Sequence, residues 1–149
     1  MIRFQHDPRP ALDAIAALYA ASPLRRPIGD PARLGAMFDH ANVVISAWDG
    51  ERLVGLARGW TDHAFDGYIC DLAVHPAYQG RGVGRGLLEE ARTLGPGIQW
   101  VLSASPLARD YYAHLGWEPI TTGWKLQRED PLPSYEAFRA EFAHLAEKA

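Results

Sequence analysis

The segment Gln79-Gly80-Arg81-Gly82-Val83-Gly84 constrains this chain more than any other. An apolar, β-rich run from Tyr68 to Val74 precedes it. His75-Pro76 closes that run, because proline donates no ladder hydrogen bond and steers the residue before it away from the helical region. After the glycines, Leu87, Leu88, Ala91 and Leu94 recur at helical spacing over Val83 to Leu94. The chain must therefore pass from strand to helix through a turn whose glycines allow tight backbone and close approach by a ligand. The first amides of the following helix have no internal acceptor, and the aligned peptide dipoles favour negative charge there. Arg81 and Arg85 add positive charge, so a pyrophosphate would fit. A plain helix start with solvated arginines is an equally good reading of the glycines alone. Two glycine motifs are excluded. The dinucleotide fingerprint needs G-x-G-x-x-G, and the P-loop needs a Lys-Ser or Lys-Thr pair that does not occur here.

The remaining elements follow from periodicity and punctuation. Leu12, Ile15, Ala16, Leu18 and Tyr19 predict a helix, broken by Ser22 to Pro27. Asp30 caps a second helix with Pro31 at its first position, burying Leu34, Met37 and Phe38. Val43 to Trp48 and Leu53 to Trp60 flank an Asp-Gly turn and predict an antiparallel hairpin. Asp62 to Gly67 reads as a loop, and Ile98 to Ser103 as a fourth strand. Ala108 to Leu115 reads as a short helix, followed by strand candidates at Trp117 to Ile120 and Gly123 to Leu126. Tyr135, Phe138, Phe142 and Leu145 predict a C-terminal amphipathic helix over about 134–147, with Ser134 as its cap. Together these describe an α/β chain with an antiparallel start, read as one domain over 1–149.

Composition narrows the function classes. The 149 residues carry 15 Lys plus Arg against 18 Asp plus Glu, and the slight acidity with no long basic run speaks against a nucleic-acid binder. An apolar content of 48% supports a sizeable core. The single cysteine, Cys70, excludes an internal disulfide and a cysteine-based metal cluster, and the histidines form no ligand pattern. No apolar run reaches membrane-spanning length and no leader is evident, so the expected compartment is the cytoplasm.

The run Asp71-Leu72-Ala73-Val74-His75-Pro76-Ala77-Tyr78-Gln79-Gly80-Arg81-Gly82-Val83-Gly84 resembles the acetyl-CoA motif of the GCN5-related N-acetyltransferase (GNAT) superfamily, a strand followed by Q/R-x-x-G-x-G/A and a helix. Downstream, Ser105, Ala108, Tyr111-Tyr112 and Gly116-Trp117 resemble the family's N-x-x-A-x-x-F/Y-Y-x-x-x-G-F, with Ser in place of Asn and Trp in place of Phe. The motif-bearing part covers about 43–120. The resemblance implies the acyl-CoA N-acyltransferase fold, a mixed, mostly antiparallel central sheet flanked by helices. It implies acetyl-CoA as co-substrate, lying in a splay between the Tyr68–Val74 and Ile98–Ser103 strands, and direct acetyl transfer to a primary amine. It assigns cofactor contacts to Leu72, Ala73 and Val74 of the strand. It assigns further contacts to Gln79, Gly80, Arg81, Gly82, Val83, Gly84 and Arg85 of the turn, and to Ser105, Ala108 and Tyr111 downstream. Tyr112, four residues before Gly116, matches the family's acid, whose neutral phenol protonates the CoA thiolate.

The acceptor's proton needs a base. Asp71 is the first choice, since alternation sets it with Ile69 and Ala73, opposite Cys70, Leu72 and Val74. A carboxylate between apolar neighbours could equally hold an internal arginine. Asp62, His63 and Asp66 are lesser candidates for acceptor contact. Arg25 and Arg26 could bind an acceptor carboxylate or lie solvated on their loop, and Trp60, Trp117 and Trp124 could line an acceptor pocket or simply pack. Tyr111, one position from Tyr112, is expected to turn into the core. The expected acceptor is a small-molecule amine rather than a protein, and the stripe of the last helix calls for burial on the domain or against a second copy. A non-catalytic acyl-CoA sensor and a protein-interaction domain remain alternatives.

Overall fold

The Asp49-Gly50 turn, with Gly50 at φ +59°, starts the sheet. In the computed structural model, which describes residues 1–149 apart from the side chain of Leu107, it joins β2 (Val43–Asp49) to β3 (Arg52–Thr61) as the expected antiparallel hairpin. β4 (Asp66–Val74) pairs antiparallel with β3, and β5 (Gln99–Leu102) runs parallel to β4. A further strand, β1 (Ile2–Gln5), pairs antiparallel with β2, giving the sheet order β1-β2-β3-β4-β5. The result is a mixed, mostly antiparallel sheet flanked by helices.

Helices cover both faces. α1 (Leu12–Ala21), α2 (Pro31–Asp39) and α5 (Tyr135–Ala146) lie on one side, where Ile15, Leu18, Tyr19, Phe38, Leu56 and Phe138 form a buried cluster. α3 (Val83–Arg92) lies on the other, where Leu87 and Leu88 pack on Val43, Ile45, Val54 and Ala57. The short α4 (Arg109–His114) joins this second side through Tyr112. Capping follows the sequence: Asp30 accepts from the Arg33 amide and Ser134 from the Ala137 amide. No helix of the described residues is long and apolar enough to cross a membrane.

Several expectations are corrected, and one strand is added. β1 was not anticipated, because only Ile2 and Phe4 of its residues are apolar and it is a sheet edge. β4 begins at Asp66, inside the expected loop. The strand candidates at Trp117 to Ile120 and Gly123 to Leu126 lie outside the sheet, in irregular backbone with Trp124 98% and Leu126 100% exposed. Their β-prone residues find no ladder partner. The helix expected over Ala108 to Leu115 divides into a 3-10 turn, Pro106–Ala108, and α4.

A bulge in β4 corrects a face assignment. Arg58 pairs with Asp71 and Gly59 with Ile69, which leaves Cys70 as an extra residue. One extra residue reverses the alternation beyond it. Ile69 therefore shares the α3 side with Leu72 and Val74, while the Cys70 sulfur lies beside Arg58, the arginine that holds Asp71.

Candidate active site

The pairing of β4 with β5 stops at Ile69 with Leu102, where β5 itself ends, and β4 runs on to Val74 with a gap on that side. The ladder on the other side of β4 fixes what this gap contains. His75 donates its amide to the Val54 carbonyl at 2.8 Å. In an antiparallel ladder bonded and non-bonded pairs alternate, so Ala73 and Asp71 turn their backbone groups to β3. Leu72 and Val74 turn theirs to the gap, and the Gln79 amide side chain indeed reaches the Val74 carbonyl from that side at 3.4 Å.

The glycine turn stands at the end of this gap. Gly80 and Gly82 have φ of +73° and +81°, a left-handed backbone that other residues rarely adopt, and a Cβ at either would meet nothing within 4 Å. Gly82 is the N-cap of α3, no side chain caps the helix, and its first turn holds no acidic residue. The amides of Val83 and Gly84 thus face a positively biased space at the open end of the turn, while the Arg85 amide meets the Tyr111 hydroxyl. Arg81 stacks its guanidinium on the Tyr78 ring at 4.6 Å, and Arg85 is exposed. A diphosphate fits this chemistry, and the gap-facing main chain of Leu72 with the Val74 amide fits an extended amide-bearing arm.

Tyr111 does not enter the core. It is 37% exposed, and its hydroxyl lies 2.6 Å from where a Cβ on Gly84 would stand, against the first turn of α3. Burial raises its pKa, opposed by the charge and amide of Arg85. Tyr112 is half-buried, tilted against Trp117 and edge-on to Tyr111. Burial, and secondarily Tyr111, pushes its pKa up to about 12, so the phenol keeps its proton at neutral pH. Ser105 is half-buried and accepts the Ala108 amide on its carbonyl at 3.0 Å, with no bond from its hydroxyl to the turn it caps.

Asp71 lies on the opposite side of β4, fully buried, with both oxygens engaged. Oδ1 accepts from Arg26 Nε at 2.6 Å, and Oδ2 accepts from Arg58 Nε at 2.5 Å and from the Tyr19 hydroxyl at 2.8 Å. Burial pushes its carboxyl up, but the Arg58 hydrogen bond and the charges of Arg26 and Arg58 pull further, and the group sits below the usual carboxylate range. A carboxylate so held is a weak base, and the geometry favours the internal-arginine alternative for it. Tyr19 and Arg58 complete this cluster, and neither carries a local signal of it: Tyr19 reads as one more apolar position of α1, and Arg58 is one residue of the Leu53 to Trp60 strand.

The other candidates scatter. Asp62 accepts the amides of Ala64, Phe65 and Asp66 and so shapes its own loop, where His63 has φ 61°. Trp60 stacks on Tyr68 and donates to the His40 carbonyl, while Trp124 projects outward. Arg25, half-buried, donates to the Pro133 carbonyl and lies 3.9 Å over the Tyr135 ring, so its guanidinium is engaged within the chain. Among the described residues no group of three His, Cys, Asp or Glu could hold a metal ion.

The acetyltransferase (GNAT) domain family matches residues 40–119. A histone acetyltransferase of Glycine max is 37% identical over 81 residues, which cover 50% of this chain and 34% of that protein. The chain thus spans about a third of that relative's length. Among solved structures, a GNAT-family acetyltransferase from Streptococcus pneumoniae superposes with a TM-score of 0.70 at 26% identity, covering 87% of this chain and 100% of that one. A Staphylococcus aureus protein of unknown function shares the fold, with a TM-score of 0.72 at 20% identity over 86% of this chain and 100% of that one.

Proposed function

Because the chain belongs to the GNAT acetyltransferase family, we propose that it transfers an acetyl group from acetyl-CoA to a primary amine on a small molecule. The observation that carries this reading is the open cradle at Gly80 and Gly82 beside the gap-facing main chain of Leu72 and Val74. Acetyl-CoA supplies an activated thioester whose sulfur leaves as a thiolate. The amides of Val83 and Gly84 hold its diphosphate, with Arg81 and Arg85 at the rim. The Leu72 amide is available to the carbonyl oxygen, where negative charge grows during attack, and a fixed donor there lowers the barrier. Tyr112, protonated at neutral pH, donates to the thiolate. With Asp71 engaged by two arginines, the ammonium of the acceptor loses its proton to water. The acceptor approaches on the α1–α2 side. There Arg25 ties the loop after α1 to the start of α5 and narrows the approach, which favours a small acceptor over a protein segment.

The test is CoA-thiol release from acetyl-CoA with a panel of primary amines, beside calorimetry of CoA binding. Tyr112→Phe should lower turnover about 100-fold or more while CoA affinity stays within about threefold. Equal loss of both, or unchanged turnover, overturns the assigned role. A wild-type chain that binds CoA but releases no thiol with any amine favours a sensor.

A further inference from the structure

The Cys70 carbonyl of β4 is served by neither neighbouring strand and yet is not left to the gap. Cys70 has no partner in β3, because the bulge skips it, and it comes one residue after the last pair with β5. Its carbonyl is satisfied instead by a side chain from the loop between α1 and α2: Arg26 Nη2 donates to it at 3.0 Å. The same guanidinium donates through Nε to Asp71 Oδ1 at 2.6 Å and through Nη1 to the Arg25 carbonyl at 2.9 Å. Arg26 therefore bridges two consecutive residues of the bulge with a planar fork, which a lysine cannot reproduce. The fork is itself held in place. Its own carbonyl accepts the Ile28 amide at 2.7 Å, and the neighbouring Arg25 anchors the loop to Pro133 and Tyr135.

We propose that Arg26 is a positioning residue, which fixes the β4 bulge so that the Leu72 amide points at the thioester carbonyl; this rests on the acetyl-transfer reading. Arg26 serves β4 just beyond the end of β5. The carboxylate of Asp71 keeps Arg58 and Tyr19 when Arg26 is removed, whereas the Cys70 carbonyl loses its side-chain donor. The peptide between Cys70 and Asp71 then keeps only its hold on β3, and the aim of the next amide, that of Leu72, loosens with it. The diphosphate grip lies on the far side of the sheet and does not depend on this fork.

The experiment uses acetyl-CoA labelled with carbon-13 at the thioester carbonyl, which needs no knowledge of the acceptor. Isotope-edited infrared spectroscopy reads the carbonyl stretch of the bound label, and calorimetry reads affinity, in the wild type, Arg26→Ala and Arg26→Lys. In the wild type binding shifts the stretch to lower frequency. In both variants most of that shift is lost while Kd changes by no more than about threefold. Added guanidinium ion restores the shift in Arg26→Ala, and methylammonium does not. Arg26→Lys keeps a charge beside Asp71 and serves as the folded control if Arg26→Ala melts too low. A shift retained in both variants overturns the proposal, as does a shift lost only in proportion to affinity, or a wild type that binds without any shift. A wild type that does not bind acetyl-CoA refutes the transfer reading itself.

Discussion

Asp71→Asn separates the two roles weighed for this carboxylate. In the folded chain the side chain is fully buried and accepts hydrogen bonds from Arg26, Arg58 and Tyr19. The asparagine keeps the shape but removes the charge, and its NH2 faces a donor on Arg26 or Arg58. Arg58 is only 4% exposed, so its guanidinium is left buried with no counter-charge. Breaking a buried pair in this way costs about 3–5 kcal/mol. For a chain of this size that lowers the melting temperature by about 6–20 °C. The assay is urea and thermal unfolding at neutral pH. A second variant, Asp71→Asn with Arg58→Met, removes both partners and should recover part of the loss. The pH dependence has a definite sign. The folded pKa of Asp71 is lowered, so its stabilisation is complete above the unfolded value of about 3.9 and disappears as pH falls through the folded value. The wild type should therefore lose stability below about pH 4 more steeply than Asp71→Asn. If Asp71→Asn unfolds within about 1 kcal/mol of the wild type and yet abolishes turnover, the carboxylate is the base and the structural reading fails.

Other expectations are direct. Gly82→Val forces a β-branched residue into φ +81° and projects its side chain into the open cradle. It should cost about 1–2 kcal/mol in unfolding and lower CoA affinity more than tenfold, about 1.4 kcal/mol, by calorimetry. Phe138→Ala empties a fully buried position between α5 and α1 and should cost about 3–5 kcal/mol by urea unfolding, with CoA affinity unchanged.

What the sequence made legible was local. The hairpin turn, the Asp30 and Ser134 caps and the glycine turn each rest on residues a few positions apart. The bulge at Cys70 leaves no local trace, because it is a mismatch between two strands. Strict alternation therefore placed Ile69 on the wrong face, although it placed Asp71 correctly. Arg26 and Arg58 were illegible for a related reason: their partner is 45 and 13 positions away, and nothing in an arginine's immediate neighbours tells whether it meets water or a buried carboxylate. The strand candidates after Gly116 show the converse. Trp117 to Ile120 and Gly123 to Leu126 have β-prone composition, but a strand also needs an edge to join.

The sheet divides the apolar interior into two compartments that touch it from opposite sides. In the proposed transfer, the grip on the nucleotide end of the co-substrate stands over one compartment, and the helices flanking the amine's approach stand over the other. The walls on the α1, α2 and α5 side can thus be rebuilt for a new acceptor without retuning the nucleotide grip. Two such chains could differ entirely in what they modify while sharing one way of holding the donor.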